Sequence, residues 1–119
     1  MESIKFVMLF AIVAAACIQE SGAYKLSCPN PEQLSVQHKD GFYQIIGEIQ
    51  GSHGKIELSS RLYTQQLYQK DVNAAQPAGA FVTRDRLSCD YDSSPYVSGL
   101  SEELLNCVNA EALNYVTCH

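Results

Sequence analysis

Four cysteines, Cys28, Cys89, Cys107 and Cys118, limit the folds open to this chain more than any other feature. They stand in the part that remains once a leader is set aside. Met1–Lys5 carries one acid and one base, Phe6–Ile18 is uncharged, and Ser21-Gly22-Ala23 offers small residues where a signal peptidase reads. Residues 1–23 are therefore expected to be a secretory signal peptide. The apolar run is short for a bilayer span, which needs roughly 20 residues. The fifth cysteine, Cys17, leaves with that leader. Acylation of Cys17 as a lipoprotein is the disfavoured alternative, because Ala14 rather than leucine stands three residues before it.

An even set of cysteines in an exported chain is expected to form disulfides, here two. No CxxC pair occurs, and His38, His53 and His119 stand alone without ligand spacing, so no metal or other cofactor is expected. Of the three possible connectivities, Cys28 with Cys89 and Cys107 with Cys118 is preferred. The first closes a loop of about 60 residues, worth about 4 kcal/mol on the chain-entropy model, and the second about 3. Ser101, followed by Glu102 and Glu103, reads as an N-cap with acids in the first turn, which predicts a short helix over Glu102–Val108. Cys107 and Cys118 on one continuous helix would lie about 16 Å apart at 1.5 Å per residue. A disulfide allows roughly 6 Å between Cα atoms, so if these two are partners the helix must end near Asn109 and leave Leu113–Cys118 extended.

Residues 24–119 make one domain, with no internal repeat and no room for a second. Cys28-Pro29-Asn30-Pro31 is stiff and non-helical. Leu34–His38 reads as a strand closed by Lys39-Asp40-Gly41, whose Asp-Gly is a hairpin signal. Phe42–Gln50 follows, with Gly47 suggesting a bulge. Gly51-Ser52-His53-Gly54 is a turn, and Lys55–Tyr63 alternates, placing Ile56, Leu58, Ser60 and Leu62 on one face and Glu57, Ser59, Arg61 and Tyr63 on the other. Thr64–Gln76 fits either a short helix using Leu67, Tyr68 and Val72 or an edge strand. Phe81–Tyr91 (FVTRDRLSCDY) reads as two strands reversing at Thr83-Arg84-Asp85-Arg86, with Leu87 and Cys89 sharing a buried face. Asp92–Pro95 is a loop. The fold class expected is a β-rich α+β domain: a small antiparallel sheet, meander or sandwich-like, with one short C-terminal helix and two disulfides.

The Cys28-Pro29-Asn30-Pro31 opening, Leu87-Ser88-Cys89-Asp90-Tyr91 and the closing cysteine pair resemble a family of small exported bacterial proteins known as a domain of unknown function. The chain departs from that family in having no tryptophan. The resemblance implies export and a disulfide-tied β-rich domain, and it carries over no catalytic residue.

The whole chain bears a net charge of −5, and loss of the leader's two acids and one base leaves −4. That acidity, with Arg84 and Arg86 surrounded by Asp85, Asp90 and Asp92, argues against nucleic-acid binding. No GxSxG, HExxH, P-loop or GxGxxG motif occurs. Glu102-Glu103 and the Asp90, Asp92 pair suit a helix start and a strand end better than a glycosidase. Seven tyrosines stand in the chain, and Tyr63, Tyr68, Tyr91 and Tyr96 fall in polar settings, where a ring with one wet end suits an interface. The function expected is a non-catalytic binding protein, secreted or periplasmic, without stable membrane insertion once the leader is removed. Its partner is a protein or a glycan, and the alternative is a small secreted hydrolase or hydrolase inhibitor.

Overall fold

The computed structural model describes residues 22–119, so the expected leader, apart from Gly22 and Ala23, lies outside the described residues. The described residues form nine strands: β1 (Tyr24–Ser27), β2 (Ser35–Lys39), β3 (Phe42–Gly51), β4 (Gly54–Ser59), β5 (Pro77–Thr83), β6 (Arg86–Tyr91), β7 (Ser94–Leu100), β8 (Cys107–Asn109) and β9 (Tyr115–Cys118). Among the described residues one helix, α1 (Gln69–Ala74), and 3₁₀ turns at Pro31–Gln33 and Glu102–Asn106 join them. The strands build an antiparallel six-stranded sheet, in the order β2-β3-β4-β7-β6-β5, and a three-stranded sheet ordered β1-β9-β8.

The larger sheet consists of two meanders whose hairpins turn on two residues each. Asp40 and Gly41 both have positive φ, the geometry that lets a two-residue loop follow the strand twist. Arg84 and Ser93 take positive φ in the other meander, so the reversal expected after Val82 is present and the Asp92–Pro95 loop contracts to Asp92-Ser93. The two meanders meet at one bridge, Ser59 opposite Ser98.

Alternation sets the inner face. Ile45, Ile56 and Leu58 from the first meander and Ala80, Val82, Leu87, Cys89, Tyr91 and Val97 from the second are buried. Leu26, Val116 and Cys118 of the smaller sheet join the same core, and Leu34, Val72 and Leu104 are contributed by the connections. Both disulfides join the preferred partners. Cys28–Cys89 ties the entry segment to β6 with Cα atoms 5.9 Å apart. Cys107–Cys118 links directly opposed residues of β8 and β9. Disulfides of this kind form and persist in oxidising compartments. Among the described residues no helix is long and apolar enough to cross a membrane.

Three local expectations need correction. No register shift occurs at Gly47, which pairs regularly with Leu58. A Cβ there would sit 2.8 Å from Leu34 Cδ2, so this glycine permits close approach of the Leu34 segment rather than a bulge. The real shifts lie between Pro77 and Gly79 and between Cys89 and Tyr91. Leu62 is 57% exposed instead of facing the core. Ser60 bonds to Ile45, but Tyr63 bridges Tyr43, so three residues on one strand match two on the other and the facing reverses. Ser60 fills the gap: its Oγ accepts from Ile45 N at 2.8 Å while its carbonyl accepts from Gln44 Nε2. The C-terminal helix is shorter than expected, a 3₁₀ turn ending at Asn106, with Cys107 already in β8.

Edges that invite unwanted pairing are covered. The Val36 N–H on edge strand β2 donates to Gln69 Oε1 at 2.9 Å, and Gln69 Nε2 donates to the Leu34 carbonyl, which holds α1 over that edge. At the opposite edge, Val82 N donates to Asn109 Oδ1 at 2.7 Å.

Candidate binding surface

Register puts one continuous row of residues on the outer face of the larger sheet. Phe81 lies opposite Ser88, Ser88 opposite Ser98, Ser98 opposite Ser59, Ser59 opposite Ile46, and Ile46 opposite Ser35. At about 4.8 Å per strand the row runs for about 24 Å across the strands. Its four serines form a shallow floor between longer neighbours. On one side, Arg86 pairs with Leu100 and Glu48 with Glu57; on the other, Gln37 pairs with Gln44, and Tyr96 lies two residues before Ser98. Arg86 Nη1 donates to Ser98 Oγ at 2.9 Å and so lies along the row.

Among the described residues nothing covers this face. Ser35, Glu57, Ser59, Phe81, Tyr96 and Leu100 are all exposed. Phe81 at 50%, Tyr96 at 52% and Leu100 at 58% give one half of it an apolar and aromatic character. The other half holds an open groove of about 500 Å³ along β2–β4, floored by Ser35, Ile46 and Ser59 and walled by Gln37, Glu48 and Glu57.

No protein family, curated protein or solved structure matches this chain. Its surface must be read from its own side chains.

The four tyrosines singled out from sequence are not gathered into one site. Tyr96 belongs to the outer face. Tyr68 is 52% exposed and precedes α1, with its hydroxyl on Gln66 Oε1. Tyr63 is half-buried beside Tyr43, with the Arg61 guanidinium 4.9 Å from its ring centre. Tyr91 differs most from its expected polar setting, being only 4% exposed. Its hydroxyl donates to the Pro29 carbonyl, beside the Cys28–Cys89 bond, and burial pushes its pKa up to about 12. The four cysteines are buried in the two disulfides.

Glu103, read from sequence as a first-turn acid, has another role. It is 5% exposed and accepts from Ser52 N, Ser52 Oγ and Tyr24 Oη through Oε2, and from His53 N through Oε1. Burial opposes its charge, but these hydrogen bonds outweigh it and hold the carboxyl below its ordinary value. The Tyr24 hydroxyl is pulled down by its contact with Ser52 and pushed up by burial and by Glu103, with a net rise. A buried carboxylate thus fixes the β3–β4 turn, and His53 is held there by its backbone. Among the described residues no group of three or more His, Cys, Asp or Glu side chains converges as a metal site.

Sequence alternation placed Glu57 and Ser59 on one face but did not identify the Glu48–Glu57 pair. A signal was present: a two-residue turn at Ser52-His53 pairs Gly51 with Gly54 and, counting back, Glu48 with Glu57.

Proposed function

We propose that this chain is a small exported protein, secreted or periplasmic after loss of residues 1–23, that acts by binding rather than catalysis. It holds a protein or glycan partner outside the cytoplasm on the outer face of the six-stranded sheet. The observation that carries this reading is the exposure of Phe81, Tyr96 and Leu100 together on a broad, open sheet face. Large apolar side chains grouped on a surface with a polar surround favour an interaction site over scattered exposure. Export is supported by the leader-like composition of residues 1–23, by two disulfides and by the resemblance to small exported proteins.

Site-specific photo-crosslinking tests the binding reading. A photoreactive residue at Tyr96 should capture a saturable partner from the medium or envelope of the producing cells, while one at Tyr115, on the smaller sheet, should not. Equal capture at both positions, or none at Tyr96, would contradict the reading.

A further inference from the structure

We infer that the groove on β2–β4 takes an arginine side chain from an extended segment of a partner protein. This inference rests on the binding reading and names the chemistry recognised at one end of the same face. Its basis is the direct opposition of Glu48 and Glu57. Ser60 N donates to the Ile45 carbonyl, which makes that pair a hydrogen-bonded one; counting alternately, Glu48 and Glu57 fall at a non-hydrogen-bonded pair. There the Cα atoms approach to about 4.5 Å and the side chains are closest. Like charges placed directly opposite one another oppose sheet formation.

The charge is only lightly compensated. Lys55 Nζ lies 3.7 Å from Glu48 Oε1, and the two side chains are 67% and 58% exposed, so water screens the pair and an incoming cation can displace the lysine. Lys25 lines an adjoining hollow that shares Glu48 with the groove. Among the described residues the lining of the groove itself holds no cation. Its lining offers acceptors instead: the two carboxylates, the Gln37 amide and the Ser35 and Ser59 hydroxyls, while the Gln33 amide oxygen is engaged by Asn30 N. A guanidinium carries five N–H donors in a planar fork and pairs with carboxylates bidentately, whereas an ammonium offers a point charge. Half-buried Ile46 on the floor supplies apolar surface for the aliphatic stem. An anionic partner is repelled by the same pair, and a neutral glycan adds nothing to the light compensation by Lys55.

The test uses the oxidised exported protein and records backbone amide shifts on titration with acetyl-Gly-Gly-Arg-Gly-Gly-amide, with its citrulline counterpart, and with a neutral oligosaccharide. The arginine peptide should move the resonances of Glu48, Glu57 and Ser59. The citrulline peptide and the Glu57→Gln variant should each bind about tenfold more weakly, a loss of about 1.4 kcal/mol. Raising salt to about 1 M, where screening acts within about 3 Å, should weaken the arginine peptide alone. Unchanged shifts away from the groove show that the Glu57→Gln variant is folded. Equal binding of citrulline, a response to the oligosaccharide in place of the peptide, or no response at these residues would overturn the inference. If the Tyr96-dependent cross-link persists in that case, the binding reading stands and only the arginine assignment fails.

Discussion

The Tyr24 hydroxyl donates to Glu103 Oε2 at 2.8 Å, joining the first strand to a turn 79 residues later. Because the same oxygen accepts from Ser52 N at 3.0 Å and Ser52 Oγ at 2.9 Å, one carboxylate holds β1, the β3–β4 turn and the C-terminal 3₁₀ turn together.

Replacing that carboxylate should cost stability in a pH-dependent way. Glu103→Gln should lose about 1.5–3 kcal/mol at neutral pH, the scale for hydrogen bonds to a charged group. The folded pKa of Glu103 is depressed, so its contribution is complete above the unfolded value, ordinarily 4.5, and is lost as pH falls through the lower folded value. Urea midpoints of the two proteins should therefore converge below pH 4.5. A constant gap at all pH values would show that the loss is one of packing.

Tyr91→Phe tests the opposite limb. The folded pKa of Tyr91 is raised from 10.0 to about 12, so the stability that its neutral hydroxyl contributes is complete below pH 10 and is lost as pH rises toward 12. The variant should lose about 0.5–1.5 kcal/mol at neutral pH, the net value of one hydrogen bond. Its stability should then decline less steeply than that of the unmodified protein between pH 10 and 12. Parallel alkaline unfolding curves would contradict the role given to the Tyr91–Pro29 contact.

The seam between the meanders is tight at Gly99, where a Cβ would fall on the Glu57 carbonyl oxygen. Gly99→Ala should cost about 1–3 kcal/mol, the usual effect of overpacking. Thermal melts decide it. An unaffected melting point would mean that β4 and β7 can move apart freely.

Much of this architecture is legible in the sequence because local signals and global packing agree. Asp40-Gly41, the alternation through Ile56 and Leu58, and the shared face of Leu87 and Cys89 each depend on nearest neighbours and the strand period of two. The preferred pairing of Cys107 with Cys118 limits how far the last helix can run. What was not legible depends on contacts remote in sequence. Leu62 turns outward because the β3 partner runs one residue out of step, and Tyr91 is buried because Pro29 supplies an acceptor 62 residues away. Glu103 has the composition of a helix start, yet its acceptors are used by a turn some 50 positions earlier. The outer face emerges only from the six-strand order, which no local pattern encodes.

The inner and outer residues of β6 should separate cleanly. Leu87→Ala should cost about 2–5 kcal/mol, since Leu87 is fully buried. Ser88→Ala, on the outer face, should change stability by less than about 0.5 kcal/mol. Guanidinium midpoints measured with both disulfides intact make the comparison, and equal small losses would place β6 at the periphery of the fold.

On the proposed reading, the inner face and the disulfides hold the fold while the outer face binds. The most direct measurement is made on one triple variant, Phe81→Ser, Tyr96→Ser and Leu100→Ser, in which denaturant midpoint and partner binding are read side by side. The expected result is a change in stability of about 1.5 kcal/mol or less, from three surface substitutions, together with loss of the partner captured by the unmodified protein. Unfolding of the variant, or undiminished binding by a folded one, would contradict it.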